Sequence, residues 1–232
     1  MNAPAVSGLL RRAGEWLIEP DDEATPTRPL AVVPPPSYPL VGVVGLARRC
    51  GTTTIARALA AELAARHGGA AVVASPARPA VVALGSSAPA ARLADTLAQL
   101  AERRAAGRLC LAACADPELL AATTRAVAPA VMEVEPGCAA LDAARVLDRL
   151  LLVASPGLEP ALAAAVAETI AAVAEPPVVA VNKAADHGPW LVHADVLVPD
   201  SRVGARLALS GREPRGWLGK AVEQLADLCA RG

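Results

Sequence analysis

The sequence is poor in aromatic residues and in net charge, and each shortage excludes a class of function. Phenylalanine is absent, Tyr38 is the single tyrosine, and aromatic residues make up 2% of the 232 residues. Such a chain offers few rings on which nucleic-acid bases could stack. Acidic and basic residues nearly cancel, with a formal net charge of −1. No global field therefore attracts nucleic acid or an anionic membrane, and the sequence carries no strong signal for either partner.

The five cysteines and three histidines form no metal-ligand pattern. The cysteine number is odd, no pair has a C-x-x-C spacing, and Cys110 and Cys114 lie in an apolar stretch that favours small core residues. This usage is typical of a reduced cytoplasmic protein. No apolar run reaches the ~18 residues of a membrane span. The N-terminus also lacks the basic region and apolar core of a signal peptide.

Residues 1–38 differ in composition from the rest of the chain. Residues 1–19 predict an amphipathic helix whose apolar stripe ends in Trp16 and Leu17, and residues 20–38 predict a Pro-rich linker of extended character. Three roles remain open for the helix: folding back on its own domain, docking to a protein partner as a helix in a groove, or lying on a membrane. The membrane role is the least favoured, because the acidic residues of the helix offset its arginines.

From residue 39 to residue 232, short Val/Leu runs alternate with longer Ala-rich segments. The predicted strands are Leu40–Val44, Ala70–Ala74, Leu109–Ala112, Ala130–Val134, Leu150–Ala154, Val178–Val181 and Val196–Val198. The predicted helices are Thr53–Arg66, Ala90–Ala105, Pro117–Val127, Ala139–Leu147, Glu159–Val173, Arg202–Ser210 and Gly216–Ala230. The strands are apolar throughout, so both faces of the sheet should be covered by helices. This predicts an α/β domain with a doubly wound, mostly parallel sheet of the P-loop NTPase kind.

The segment GLARRCGTTT, from Gly45 to Thr54, lies between the first predicted strand and the first long helix, where a phosphate-binding loop belongs. In such a loop, backbone N–H groups and a helix N-terminus converge on an anion. Gly45 and Gly51 bracket the loop, and three threonines open the helix, where hydroxyls can also serve as simple caps. The strict pattern G-x-x-x-x-G-K-[ST] is not met, because five residues separate the two glycines and Thr52 replaces the lysine.

Four later segments match, in order, the MinD/ParA group of P-loop ATPases, which includes the Tad-pilus positioning proteins CpaE and TadZ. Val131–Gly137 matches the family's switch segment, and Leu147–Pro156 matches a family strand of the type ADRVLLVTTPE. Val181–Lys183 matches a family strand that ends in N-K or N-R, and Val198–Pro214 matches the family's IP-x-D motif. Residues 39–231 therefore resemble a degenerate member of this family.

The resemblance implies a set of site residues. Nucleotide-binding positions would be Gly45, Arg48, Arg49, Gly51, Thr52, Thr53, Thr54, Asn182, Pro199 and Asp200, and the switch would contain Glu133, Pro136 and Gly137. Asn182 and the Pro199-Asp200 turn would lie beside the base, and Thr53 with Glu133 is a weak candidate for Mg²⁺. For Arg48 and Arg49 two interpretations remain open, since a small shift in register would place one on the phosphates, whereas otherwise both are solvated surface charges.

The departures from the family pattern fall on positions that handle phosphate. Thr52 replaces the loop lysine, Ala47 aligns with the family's second lysine, and Glu133 replaces the switch aspartate. The acidic residue expected after the second strand is missing, since that segment reads Ser75-Pro76-Ala77-Arg78. A charge-assisted hydrogen bond is worth roughly 1.5–3 kcal/mol, so each lost lysine weakens phosphate binding about 10- to 100-fold. Hydrolysis should be negligible, because phosphoryl transfer depends on charge stabilisation.

The sequence thus favours a pseudo-ATPase of bacterial type that binds ATP or ADP with Mg²⁺ weakly or not at all and works by docking to protein partners. The resemblance implies that the protein takes part in the spatial positioning of a cellular structure. It would lie in the cytoplasm, or reach a membrane or a cell pole through a partner. One alternative is an active ATPase that switches between monomer and nucleotide-bound homodimer. A second alternative is a metabolic enzyme of the same superfamily, although no acidic substrate-binding cluster supports it.

Overall fold

The apolar runs of the sequence form the strands of one sheet in a computed structural model, which describes residues 37–77, 85–184 and 188–230. The eight strands of the described chain are β1 Leu40–Gly45, β2 Ala71–Ser75, β3 Ala101–Ala106, β4 Leu109–Ala113, β5 Ala130–Val134, β6 Arg149–Ala154, β7 Val178–Asn182 and β8 Val196–Val198. Its seven α-helices are α1 Thr52–Arg66, α2 Ala88–Thr96, α3 Pro117–Thr124, α4 Cys138–Val146, α5 Pro160–Ala171, α6 Arg202–Leu209 and α7 Gly216–Cys229.

The strands lie in the order β3-β4-β2-β5-β1-β6-β7-β8, and every neighbouring pair is parallel except β3 with β4. Strand β1 is central, with β5 on one side and β6 on the other. From β1 the chain passes to β2 on one side, and from β5 it crosses β1 to reach β6 on the other. This change of direction places a topological switch point at the carboxyl end of β1, where ligands bind in open α/β sheets.

Alternate residues of each central strand enter two separate cores. Val41 and Val43 of β1 pack with α1, α6 and α7 on one face, whereas Leu40 and Val44 pack with the other helices on the opposite face. All four side chains are almost fully buried. Because β1 is buried on both faces, its residues are apolar whichever face of the sheet they point to. These two cores consist mostly of Ala, Val, Leu and Ile, which accounts for the aliphatic composition of the sequence.

The predicted fold class is confirmed, and one predicted helix is wrong. The segment 90–105 was expected to be a single helix, but α2 ends at Thr96 and the chain returns as the antiparallel edge strand β3, from Ala101 to Ala106. Alanine and arginine favour helices, and the strand forms because its backbone pairs with β4, a tertiary contact that outweighs this local preference. A 3₁₀ helix at Gly188–Val192 was also not predicted.

The expected N-terminal helix and Pro-rich linker, up to residue 36, lie outside the described residues, as does Arg78. Within the described ranges, no helix has both the length and the apolar character needed to cross a membrane.

Candidate functional site

The loop that follows β1 is held in place by two strands. The amide N–H of Leu46 donates to the Val153 carbonyl of β6 over 2.9 Å. Asn182 at the end of β7 donates its Nδ2 hydrogen to the Cys50 carbonyl over 2.7 Å, a bond between residues 132 apart in sequence. The carbonyl of Cys50 is thereby satisfied inside the protein, where an orphaned carbonyl would be costly.

Gly51 lies at the N-cap of α1 with φ of 94°, in the left-handed region. A side chain is disfavoured there by its backbone conformation. It is also excluded by space, because an added Cβ would collide with the Nδ2 atom of Asn182. No side chain caps α1, so the structure does not show the alternative role of the threonines as helix caps. The first N–H groups of the helix therefore remain available to an anion.

The three threonines at the start of α1 face in three directions. The Oγ1 atom of Thr52 lies 3.2 Å from the Sγ atom of Cys50 and lies over Gly45, where an added Cβ would collide with it. The Thr53 hydroxyl donates to Oε2 of Glu133 over 2.8 Å. Thr54 faces a separate cleft that also contains Asn182. A single threonine hydroxyl thus occupies the inner side of the loop, where the strict motif has a lysine.

A cleft of ≈ 330 Å³, the loop cleft, opens beside these residues at the carboxyl ends of β1, β2 and β5. The predicted site residues that line it are Gly45, Thr52, Glu133 and Pro136, and Ala47, Ser75 and Glu135 add to its wall. Among these described residues there is no lysine or arginine, while two are glutamates. The loop cleft is therefore acidic at the place where a phosphate site would be basic.

Glu133 of β5 is partly withdrawn from water and sits near a buried arginine. Burial raises the pKa of the Glu133 carboxyl, while the hydrogen bond from Thr53 and the charge of Arg57 act in the opposite direction. Arg57 lies in α1 with 3% of its surface exposed and donates from Nη1 to the Leu209 carbonyl over 2.9 Å. Burial lowers the pKa of Arg57, and the nearby Glu133 opposes that change. The switch position is thus part of an internal ionic cluster.

A second cleft, of ≈ 410 Å³, is the Asn182 cleft. It brings together the predicted residues Gly51, Thr54, Asn182, Pro199 and Asp200 at the carboxyl ends of β7 and β8. The side-chain amide of Asn182 is already engaged on both sides, since Nδ2 donates to Cys50 and Oδ1 accepts from the Lys183 N–H over 3.0 Å. In this structure the asparagine therefore fastens the loop to the sheet.

The remaining predicted residues lie apart from both clefts. Arg48 and Arg49 are exposed and line neither one, and Arg49 has a positive φ of 61°. Gly137 is also exposed and serves as the N-cap of α4, with a φ of 97° and ψ of −141° that only glycine adopts readily. In the described ranges, no group of three His, Cys, Asp or Glu side chains is placed to hold a metal ion.

The residues present fit the phosphates of a nucleotide poorly. The backbone features of a phosphate loop remain, namely the uncapped α1 and the glycines on either side of the loop. Among the described residues that line the loop cleft there is no cationic group to neutralise phosphate, and its two glutamates would repel the anion. The Thr53 hydroxyl and the Glu133 carboxylate are bonded to each other.

Comparison with solved structures shows the fold. A ParA family ATPase from Chlorobium tepidum TLS matches with a TM-score of 0.58 at 15% identity, over 82% of this chain and 98% of that one. The septum site-determining protein MinD with Mg-ADP, from Pyrococcus horikoshii OT3, matches with 0.58 at 14% identity, over 84% and 96%. The chain has the ParA/MinD-type P-loop ATPase fold. The MinC:MinD cell division complex of Aquifex aeolicus gives 0.54 at 14% identity, over 82% of this chain and 95% of that one.

No protein-family model and no curated protein matches the sequence. The ParA/MinD-type fold is therefore shared at a sequence identity of about 15%, at which structure is retained and function need not be. The sequence motifs located the strands and turns around the loop, and the structure places most of the motif residues in two adjacent clefts.

Sequence reasoning missed two residues that shape the site. Arg57 is buried within the otherwise apolar part of α1, and an arginine among alanines and leucines was a usable signal for an internal ion pair. Cys50 is not among the predicted site residues, although it is 1% exposed and its Sγ atom contacts the Thr52 hydroxyl. Its spacing in sequence gave no signal, because its role depends on the folded loop.

We expect Glu133→Gln to make the protein more stable than wild type near neutral pH, with an advantage that disappears in acid. The folded-state pKa of Glu133 is raised, so the folded protein binds this proton more tightly than the unfolded chain does. The wild type therefore loses stability as the pH rises from the pKa of Glu133 in the unfolded chain to its higher pKa in the folded protein. Gln imitates the protonated carboxyl and does not undergo this loss.

Chemical denaturation of both proteins between pH 4 and pH 8 measures the effect. If the wild type instead gains stability over Glu133→Gln as the pH rises, attraction to Arg57 outweighs burial, and the assignment of the dominant cause is wrong.

Proposed function

We propose that the protein is a pseudo-ATPase, which uses a ParA/MinD-type domain as a docking platform and binds nucleotide weakly or not at all. The observation that carries this proposal is the loop cleft, whose described wall holds Glu133 and Glu135 and no basic side chain. A ligand carrying several phosphate charges gains little there. Catalysis would lose more than binding does, because phosphoryl transfer is accelerated mainly by stabilising charge that develops on the transferred group.

The size of the deficit follows from the residues replaced. Thr52 can offer a phosphate one neutral hydrogen bond, whereas a lysine offers a charged one worth roughly 1.5–3 kcal/mol. Ala47, which lines the same cleft, offers neither. Two such losses weaken phosphate binding by at least about 100-fold, before repulsion from the two glutamates is included.

One contact favours the alternative of an active ATPase that switches with Mg²⁺ and nucleotide. The Thr53 hydroxyl lies 2.8 Å from a carboxylate oxygen of Glu133, and Glu133 lines the loop cleft. A hydroxyl and a carboxylate are oxygen ligands of the kind that Mg²⁺ takes. This alternative predicts turnover, and the proposal of a pseudo-ATPase predicts none, so a single activity measurement separates them.

The proposal assigns a role in spatial positioning through protein partners. Two of the structures with this fold are described as a septum site-determining protein and as part of a cell division complex. We propose a positioning role for this chain by analogy with them. The docking element we propose is the amphipathic segment 1–19, tethered by the linker 20–38 to the domain 39–232. A second copy of the chain is a further candidate partner.

We expect no steady-state ATPase activity above background from the intact protein with Mg²⁺, and a gain of nucleotide affinity of about 10- to 100-fold in Thr52→Lys. The lysine would restore a charge over the uncapped start of α1. The matched control is Thr52→Met, which adds a side chain of similar length without the charge.

Turnover near one per minute in the wild type, abolished by Gly51→Val, would contradict the proposal. Gly51→Val is the appropriate negative control because its side chain would collide with Asn182 and deform the loop. If Thr52→Lys and Thr52→Met bind nucleotide equally, the loop is misshapen as well as uncharged, and the proposed cause is wrong.

Deleting residues 1–30 should leave the melting temperature of the domain unchanged and abolish its cellular position or its partner binding. Thermal unfolding and fluorescence microscopy of tagged full-length and truncated chains measure the two effects separately. A large fall in melting temperature would show that the segment belongs to the core. Unchanged stability together with unchanged location would refute a docking role.

A further inference from the structure

A third cleft, of ≈ 630 Å³, lies at the amino end of β4, whereas the loop cleft lies at the carboxyl ends of β1, β2 and β5. Its floor is the turn between β3 and β4, immediately before β4 begins, and its walls are the start of α2 and the segment after α6. We call it the arginine cleft, because three arginines line it: Arg108, Arg212 and Arg215. Its volume lies in the range of about 300–1,000 Å³ in which proteins bind small molecules.

The charge of the arginine cleft is concentrated and only partly neutralised. Arg108 pairs with Glu213, with 3.2 Å between Nε and Oε1. Within the described residues, no carboxylate pairs with Arg212 or Arg215 and neither side chain makes a hydrogen bond. Three guanidinium groups against one carboxylate leave an excess of two positive charges around one concave surface. The loop cleft, by contrast, has two glutamates and no cation among the described residues of its wall.

The backbone beneath these side chains is fixed by three segments that are distant in sequence. The Arg108 N–H donates to the Gly211 carbonyl over 2.8 Å, and the Ser87 N–H donates to the Gly107 carbonyl over 2.7 Å. The two turns approach so closely that a Cβ on Gly211 would collide with the Ala106 carbonyl. These contacts fix the backbone positions from which the arginines extend, so binding need not order the backbone as well as the side chains.

From this combination of shape, charge and support we propose that the arginine cleft binds a small phosphorylated organic molecule. Guanidinium groups bind phosphate through two parallel charge-assisted hydrogen bonds, and a group with two negative charges matches the excess of two positive ones. The Ser86 hydroxyl can add a neutral hydrogen bond, and Leu207 supplies an apolar wall for the organic part. The same phosphate chemistry is carried by free metabolites and by phospholipid headgroups.

The test uses the full-length protein, with inorganic pyrophosphate and glycerol 3-phosphate as soluble probes in isothermal titration calorimetry at low salt. We expect saturable binding of one molecule per chain. The double variant Arg212→Gln/Arg215→Gln should weaken it at least about tenfold, because charge-assisted hydrogen bonds are lost. Both arginines are exposed, so the variant should keep the wild-type melting temperature. The matched control is Arg145→Gln, an exposed arginine of α4 outside the cleft, which should bind like the wild type.

Co-sedimentation with vesicles of phosphatidylcholine, with and without phosphatidic acid, distinguishes the two sources of phosphate. Sedimentation that depends on phosphatidic acid and on Arg212 and Arg215 supports the site with a lipid headgroup as its ligand. Soluble binding without sedimentation supports the site with a free ligand. Absence of saturable binding to either source overturns the proposal. Binding of equal strength in the double variant also overturns it, because the anion then lies elsewhere, as at the start of α1.

Discussion

The hydrogen bond from Asn182 to the Cys50 carbonyl fixes the geometry on which the site depends. It joins the end of β7 to the loop after β1 across the sheet. With that carbonyl held, Gly51 adopts its left-handed conformation, α1 begins at Thr52, and Thr52 faces inward while Thr53 reaches Glu133. Together with the bond from the Leu46 N–H to the Val153 carbonyl, this bond holds the loop whose residues line both clefts.

The loop cleft and the arginine cleft of this domain differ in the charge of their described walls. The described wall of the loop cleft is acidic above the backbone of a phosphate site, whereas three arginines line the arginine cleft at the amino end of β4. Arg57, whose charge acts on Glu133 at the switch position, is buried and bonded to the end of α6. The fold is thus kept at about 15% identity, although Thr52 stands where the strict phosphate-loop motif has a lysine.

The sequence predicted the parts of the structure that depend on local pattern and missed those that depend on tertiary contact. Unbroken apolar runs predicted the buried parallel strands because a strand covered on both faces needs no polar residue. The segment at 101–106 was assigned to a helix because its alanines and arginines carry no strand signal of their own. The motif positions of Asn182 and Pro199 were found in sequence, but the bond that occupies Asn182 depends on a residue 132 positions away. The arginine cleft joins three separate segments, and no spacing in the sequence brings them together.

The most direct test of the account is equilibrium binding of ATP, ADP, GTP and GDP to the intact protein in the presence of Mg²⁺. The acidic loop cleft predicts that none binds there with a Kd tighter than about 1 mM, a binding free energy of about 4 kcal/mol. Any weak binding should be insensitive to Gly51→Val, which deforms the loop. Saturable binding with a Kd of about 10 μM or tighter that Gly51→Val abolishes would contradict the account, because a functional phosphate loop would then exist without its lysine.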